Sequence, residues 1–360
     1  MKPARISLVV IAFSIATLCL KAQPRPAPST RALSDLADLI IVGNVESVKQ
    51  TGTGSIELDG RIYERLDFRA EVHVDETIKG EPAPLHFVFT YSAPGMDYAG
   101  NVAAGGLAGG GLLVGSYEII FLKKTATGYA FVSPFFPSFP ATSKSCGPNW
   151  QLDLGEDAYH RVLQRELSVL CAASRRDEKQ RALSTLSWEE DSSAAPLLRA
   201  ALDLPAIKSD PVLRASVLSD LLGRKDLSVL PLAEDDLFLP SQPTEGYLKA
   251  NLLQAISGLD PSISVPLLSR ALDLPEVDAR MGAARFLEYT QSDAALDALL
   301  GALHDPDSQV QFAVMQSLGN LTGEHEWRPT SEAESDPSWS ACLRHWAEFA
   351  NQRRVLSARH

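Results

Sequence analysis

In the second half of the chain apolar residues return every three to four positions. In the first third they alternate every second position. The longer period predicts amphipathic helices, the shorter one half-buried strands. The clearest helical stretch runs from Asp305 to Gly319. Asp305-Pro306-Asp307-Ser308 is helix-start chemistry, because proline presets φ and Asp or Ser accepts the free N–H groups of a first turn. Val310, Ala313, Val314, Leu318 and Leu321 then form one apolar stripe. Pro275 lies 31 residues before Pro306 and is followed by an equivalent stripe of Ala279, Gly282, Ala283 and Leu287. Ahead of each proline sits a further stripe: Leu296, Leu299, Leu300 and Leu303 in one copy, Val265, Leu268 and Leu272 in the other. The repeating unit is helix, short turn, helix.

Older copies lie upstream. Ala201-Leu202-Asp203-Leu204-Pro205 recurs letter for letter at residues 271–275, and Leu213, Val217 and Leu221 follow it. Leu248, Leu252 and Ile256 mark another second helix, and Arg181 to Leu186 reads as the remnant of a first pair. Four to five pairs are expected over residues 177–322. A single hairpin of helices cannot bury its stripe alone, so stacked copies imply an α-solenoid. The 31-residue spacing and the Asp-Pro-Asp-x-x-Val-x-x-Ala-x-x-x-Leu run resemble HEAT repeats of the short bacterial type. The arginine customary after the valine is Gln311 here, with Arg280 and Arg214 at related places. After a polar loop at 323–337, residues 338–356 form a predicted helix carrying Trp339, Cys342, Trp346 and Phe349 on one face. This suits a cap over the last hydrophobic surface.

Residues 35–145 have a different texture. Ala37 to Val45, Leu66 to Val74, Leu85 to Tyr91, Tyr117 to Leu122 and Tyr129 to Val132 read as short strands, which implies a small β barrel or sandwich. The segments at 37–45, 74–81 and 115–124 resemble an OB-like barrel found at the front of secreted bacterial proteins, similar in layout to netrin-type and TIMP barrels. TIMP-type inhibitors reach a metal through an N-terminal cysteine, and this domain has none before Cys146. Residues 146–176 are read as a connecting helical segment. The expected fold class is therefore multidomain, a small OB-like β-barrel followed by an all-α HEAT-like solenoid.

Residues 1–22 read as a secretory signal. Lys2 and Arg5 precede the apolar run Ile6 to Leu20, and Leu20-Lys21-Ala22 is a cleavage site. Lipid attachment at Cys19 is disfavoured by Leu18, where Gly or Ala is required. Residues 23–34 are a Pro-rich linker, and no later stretch is long and apolar enough to span a membrane. A periplasmic or secreted protein is expected. Removing Lys2, Arg5 and Lys21 moves the net charge from −12 to −15, which disfavours nucleic acid or an anionic membrane as partner. In an oxidising compartment Cys146 can bridge Cys171. Three free thiols are the open alternative, since the count left after the signal is odd.

The search for chemistry comes up short. His73, His86, His160, His304, His325, His345 and His360 are scattered without a His-Glu-x-x-His motif, and no Gly-x-Ser-x-Gly elbow occurs. The Gly-rich stretch from Gly95 to Gly115 leads into a strand and carries no following lysine, unlike a phosphate cradle. No catalytic, cofactor or metal residue is assigned. The expected function is an exported, non-catalytic protein–protein interaction or scaffold role. Its candidate partner-binding residues on the second helices are Arg214, Lys249, Gln254, Arg280, Arg285, Gln311 and Gln316. The alternative is an inhibitor or ligand-binding barrel acting on an extracellular hydrolase through the Gly-rich loop and the Phe135–Phe139 run.

Overall fold

The computed structural model describes residues 29–58, 61–97, 111–133, 138–143, 156–173, 175–187, 189, 194–238, 246–331 and 336–357. The chain divides into two compact units, residues 1–194 and 195–360.

The first unit is built on an antiparallel sheet. Its strands are β1 (Leu39–Leu58), β2 (Arg61–Lys79), β3 (His86–Asp97), β4 (Tyr117–Thr125), β5 (Gly128–Phe131) and β6 (Ser138–Pro140). The order is β3-β2-β1-β4-β5, with β6 also on β4. Strands β1 and β4 are apolar at successive positions because both faces of the sheet are covered. Leu39, Ile41, Val45, Ile120 and Leu122 enter one core with Phe68, Val72, Phe87 and Phe89. Ile40, Val42, Ile119 and Phe121 enter the other with Leu33, Phe139 and Val162. That second core lies under helices α1 (Thr30–Leu36) and α2 (Ala158–Ala172), with α3 (Arg176–Ser187) packed on α2. Residues 30–34, read from the sequence as linker, thus begin a helix. Ser29 caps it by accepting from Ala32 N at 3.1 Å, and Leu33 is fully buried. Glu76 holds α2 in place by accepting from Arg161 (2.6 Å) and from Arg165.

The sheet does not close into the expected barrel. Edge strands β3 and β5 face one another through side chains, with ring centroids 5.6 Å apart for Phe87–Tyr129, 5.4 Å for Phe89–Phe131 and 4.3 Å for Tyr91–Phe131. Among the described residues no ladder of backbone hydrogen bonds joins them. Phe139, part of the expected contact edge of an inhibitor, is buried against Phe121 at 5.1 Å. The Gly-rich residues 98–110, residues 134–137 and Cys146 lie outside the described residues. Cys171 is disulfide-bonded, and its partner also lies outside them; Cys342 is free and buried.

The second unit is helical: α4 (Ala194–Ala201), α5 (Pro205–Lys208), α6 (Pro211–Gly223), α7 (Leu230–Phe238), α8 (Gly246–Ser257), α9 (Pro261–Ala271), α10 (Val277–Leu287), α11 (Asp293–Gly301), α12 (Ser308–Thr322) and α13 (Pro337–Ser357). Helices α6, α8, α10 and α12 pack on one another in that order, while α9 meets α10 and α11 meets α12. The apolar positions at 248, 252, 256, 279, 283, 287, 310, 314 and 318 are all buried. The helix starts are capped as their chemistry requires. Asp210 accepts from Val212 N at 3.1 Å, Asp260 from Ser262 N at 2.9 Å and Asp307 from Gln309 N at 2.9 Å. The α12 cap is thus Asp307, which leaves Asp305 for another role. Helix α13 lies against α11 and α12 and buries Trp339, Cys342 and Trp346, while Trp346 Nε1 donates to the Trp327 carbonyl at 2.9 Å. No helix among the described residues is long and apolar enough to cross a membrane.

Glu118 on β4 yields a test of the sheet unit. It is buried, and burial pushes its carboxyl up to about 7; the Ser116 and Ser138 hydroxyls and Arg181 oppose that shift, and Glu178 adds to it. Between the ordinary value of 4.5 and about 7 the folded state keeps a proton that the unfolded chain releases. Stability therefore falls as pH rises through that window, by about 3 kcal/mol in full. Urea unfolding at pH 5 and pH 8 should show this loss in the wild type and a clearly smaller one in Glu118→Gln. Equal losses in the two proteins would refute the assignment.

Candidate interaction surface on the helical unit

The second helices carry two kinds of polar residue, and the 31-residue register separates them. One kind turns inward. Arg280 on α10 makes a two-pronged pair with Asp305, Nε to Oδ2 at 2.7 Å and Nη2 to Oδ1 at 3.0 Å. Its remaining nitrogen donates to the carbonyls of Leu274 (2.9 Å) and Pro275 (3.0 Å). Lys249 on α8 pairs with Glu276 at 3.1 Å, both almost fully buried. Arg214 on α6 pairs with Asp236 at 2.6 Å. Each of these three cations thus holds an acid in the pair that follows. Gln311 stands 31 residues after Arg280 and donates to the Asp305 carbonyl at 2.8 Å. Asp336, 31 residues after Asp305, caps α13 by accepting from Ser338 N at 2.7 Å. At this step the amide of Gln311 stands in the arginine's place and holds the turn of its own pair, where Arg280 holds an acid of the next.

This corrects the expectation that these residues form an exposed partner surface. Lys249 and Arg280 are buried, and Arg214 and Gln311 are half-buried and engaged. Gln316 is half-buried and donates to the Pro329 carbonyl at 2.7 Å. Of the seven candidates, Gln254 and Arg285 alone are exposed.

The outward kind falls at other steps of the same register. Gln254, Arg285 and Gln316 occupy one set of equivalent positions, Ala250, Met281 and Phe312 a second, and Tyr247, Asp278 and Gln309 a third. Within each helix the sets are three and four residues apart, so they share a face. Ala250, Met281 and Phe312 are half-buried and apolar at the middle step. Phe312 stacks on Trp339 of α13, ring centroids 6.4 Å apart, which leaves Ala250 and Met281 as the part of the column available to a partner. Tyr247 is 50 % exposed, and Tyr289, just beyond α10, is 71 % exposed. Tyrosine, methionine and arginine are residue types that protein interfaces favour. Gly282 brings α8 and α10 together: a Cβ there would already touch the Ala250 Cβ at 3.4 Å. At the turn end of the repeats, a groove of about 600 Å³ is floored by Arg280 and Asp305 and lined by Asp273, Ala298 and His304. Arg280 and Asp305 in it are already paired with each other, which leaves the exposed columns as the better docking surface.

Residues 243–327 match the family model for HEAT repeats. The match spans α8 to α12, the same helices that carry the columns and the buried pairs. No curated protein matches the chain. The HEAT-like character of the helical region, legible in its 31-residue spacing, is supported by both the match and the stacking.

Removing one partner of a buried ion pair leaves the other unpaired, at a cost of about 3–5 kcal/mol. Arg280→Ala should lose stability on that scale, whereas Arg285→Ala, on an exposed face, should change it by no more than about 0.5 kcal/mol. Chemical denaturation of the two variants beside the wild type checks this. Equal effects would show that the inward and outward residues have been wrongly sorted.

Proposed function

We propose that this chain is an exported, non-catalytic protein-binding or scaffold protein. Its partner docks along the stacked face of α8 and α10. The observation that carries the proposal is the three-column face within the HEAT-matched residues, apolar at Ala250 and Met281 and polar on both sides at Tyr247, Asp278, Gln254 and Arg285. Stacked helical repeats typically bind partners on such extended surfaces. The chemistry fits a protein segment that sets apolar side chains against Ala250 and Met281 and offers acceptors to Arg285 and Gln254. The front unit, in this reading, is an open OB-like or netrin-like sheet whose β3–β5 seam is filled by aromatic side chains instead of hydrogen bonds.

Crosslinking of the tagged full chain in its own cells, with identification of what is captured, tests the surface. A Met281→Asp, Arg285→Ala variant should keep the wild-type melting temperature within a few degrees and lose captured partner at least about tenfold, the scale of two interface hot spots. Capture of the same proteins at undiminished yield would remove the proposal.

Export is supported by the disulfide at Cys171, a bond that persists in oxidising compartments. We assign Cys146 as its other half. Alkylation of the denatured, unreduced chain should then label Cys342 and leave Cys146 and Cys171 unmodified until a reductant is added. Labelling of Cys171 without reductant would overturn both the pairing and this support for export.

A further inference from the structure

The sheet unit gathers residues that the chain keeps far apart. His73 on β2 and His86 on β3 are direct cross-strand partners. Their rings meet edge to face with centroids 5.3 Å apart. Glu46 on β1 reaches both: its Oε2 lies 2.9 Å from His86 Nδ1 and its Oε1 lies 3.7 Å from His73 Nδ1. On the far side of the His73 ring, Nε2 faces Asp75 Oδ1 at 3.6 Å.

Two irregularities of the ladder produce this arrangement. The β1–β2 pairing passes from Val45↔Val72 to Ser47↔Glu71 and skips Glu46; it passes from Val42↔Glu76 to Gly43↔Val74 and skips Asp75. Both carboxylates thus belong to extra residues at bulges, which re-aim side chains and often sit beside functional sites. Gly43 lets the strands close up between the two bulges, since a Cβ there would fall 2.0 Å from the His73 carbonyl oxygen. Plain two-residue alternation would not converge these four groups.

One potential ligand atom each from Glu46, His73 and His86 lies within 4.8 Å of the others. Ligand atoms around a tetrahedral zinc at about 2.0–2.1 Å are about 3.3 Å apart, so small side-chain rotations complete the set. The side chains are one-third to one-half exposed, which leaves room for those rotations and for ions to enter. Two imidazoles and a carboxylate suit a borderline divalent transition metal better than calcium or magnesium. Asp75 takes the place of the carboxylate that commonly orients a metal-bound histidine from its other nitrogen.

We propose that Glu46, His73 and His86, with Asp75 positioning His73, form a binding site for one divalent transition-metal ion of the zinc, copper or nickel class. Water fills the remaining coordination positions. The site belongs to the sheet unit and stands or falls independently of the partner surface on the helices.

The test uses the full-length mature chain, its tag removed and any metal stripped with a chelator. It is titrated with Zn²⁺ by calorimetry, and with Cu²⁺ followed by electron paramagnetic resonance. The wild type should bind one zinc ion per chain, and the copper spectrum should show splitting from two nitrogen ligands. His73→Ala and His86→Ala should each weaken zinc binding at least about tenfold, and Asp75→Asn about tenfold with the stoichiometry kept. Cys342→Ser should bind like the wild type. The proposal fails if zinc binding is absent, if it survives unweakened in the double histidine variant, or if the copper spectrum shows no nitrogen splitting. The spectrum needs no variant and decides the matter even if a substitution impairs folding.

Discussion

Every second helix from α6 to α10 holds, through one buried or half-buried cation, an acid that belongs to the next helix pair. The rest of the helical unit depends on that link. Apolar stripes bring the helices together, but Leu, Val and Ala faces are nearly interchangeable, and a stack built from them alone can slide. A buried ion pair adds little net stability, because desolvating two charges costs about what their attraction returns. It does make a wrong register costly, since a misplaced Arg280 would be buried without Asp305 and without the Leu274 and Pro275 carbonyls. The pairs therefore select one stacking arrangement among many of similar apolar burial. That selection also sets the spacing of the outward columns, because inward and outward positions share the same helices.

The sheet unit solves a related problem by different means. Strands β1 and β4 are apolar on both faces, so neither face by itself dictates which strand lies beside which. The bulges at Glu46 and Asp75 fix the β1–β2 register instead, since a slip would misplace both. Glu76, clamped by Arg161 and Arg165, fixes where α2 crosses the sheet. Two of the buried carboxyls here are held toward the neutral form: Glu118, whose pKa burial raises, and Glu166, whose pKa burial and the nearby Glu189 push well above the usual carboxylate range. Burial favours the neutral form of each, which avoids the larger cost of a buried charge.

Much of the helical unit was legible in the sequence because its physics is periodic. The stripes at Leu248, Leu252 and Ile256 and at Ala279, Ala283 and Leu287 recur at helical spacing, and all are buried. The sheet was harder to read. The outer halves of β1 and β2, around Gln50 to Leu66, form a long two-stranded ribbon whose residues are largely exposed on both sides. Without a buried face there is no alternation to detect, and Gly52 and Gly54 look like turn residues. Helix α1 escaped notice because proline-rich sequence precedes it and its seven residues hold one strongly apolar buried side chain, Leu33. The cluster at His73 was invisible because it depends on which strands pair and where they bulge. Neither follows from spacing along a single chain.

The inward turn of Arg214, Lys249 and Arg280 has a more general cause. As polar residues on amphipathic helices they read as outward-facing, because polar side chains usually face water. In a stacked array the reverse test is more informative. A cation that returns on successive second helices, with an acid following it 22 to 27 residues later, meets the next repeat each time. A binding surface for one particular partner has no reason to be periodic in charge. Positions 254, 285 and 316 carry Gln, Arg and Gln, and positions 247, 278 and 309 carry Tyr, Asp and Gln. They vary where the inward positions keep their chemistry until the array ends. In such a chain, periodic polarity marks the internal joints, and aperiodic polarity at an equally regular step marks the face left for recognition.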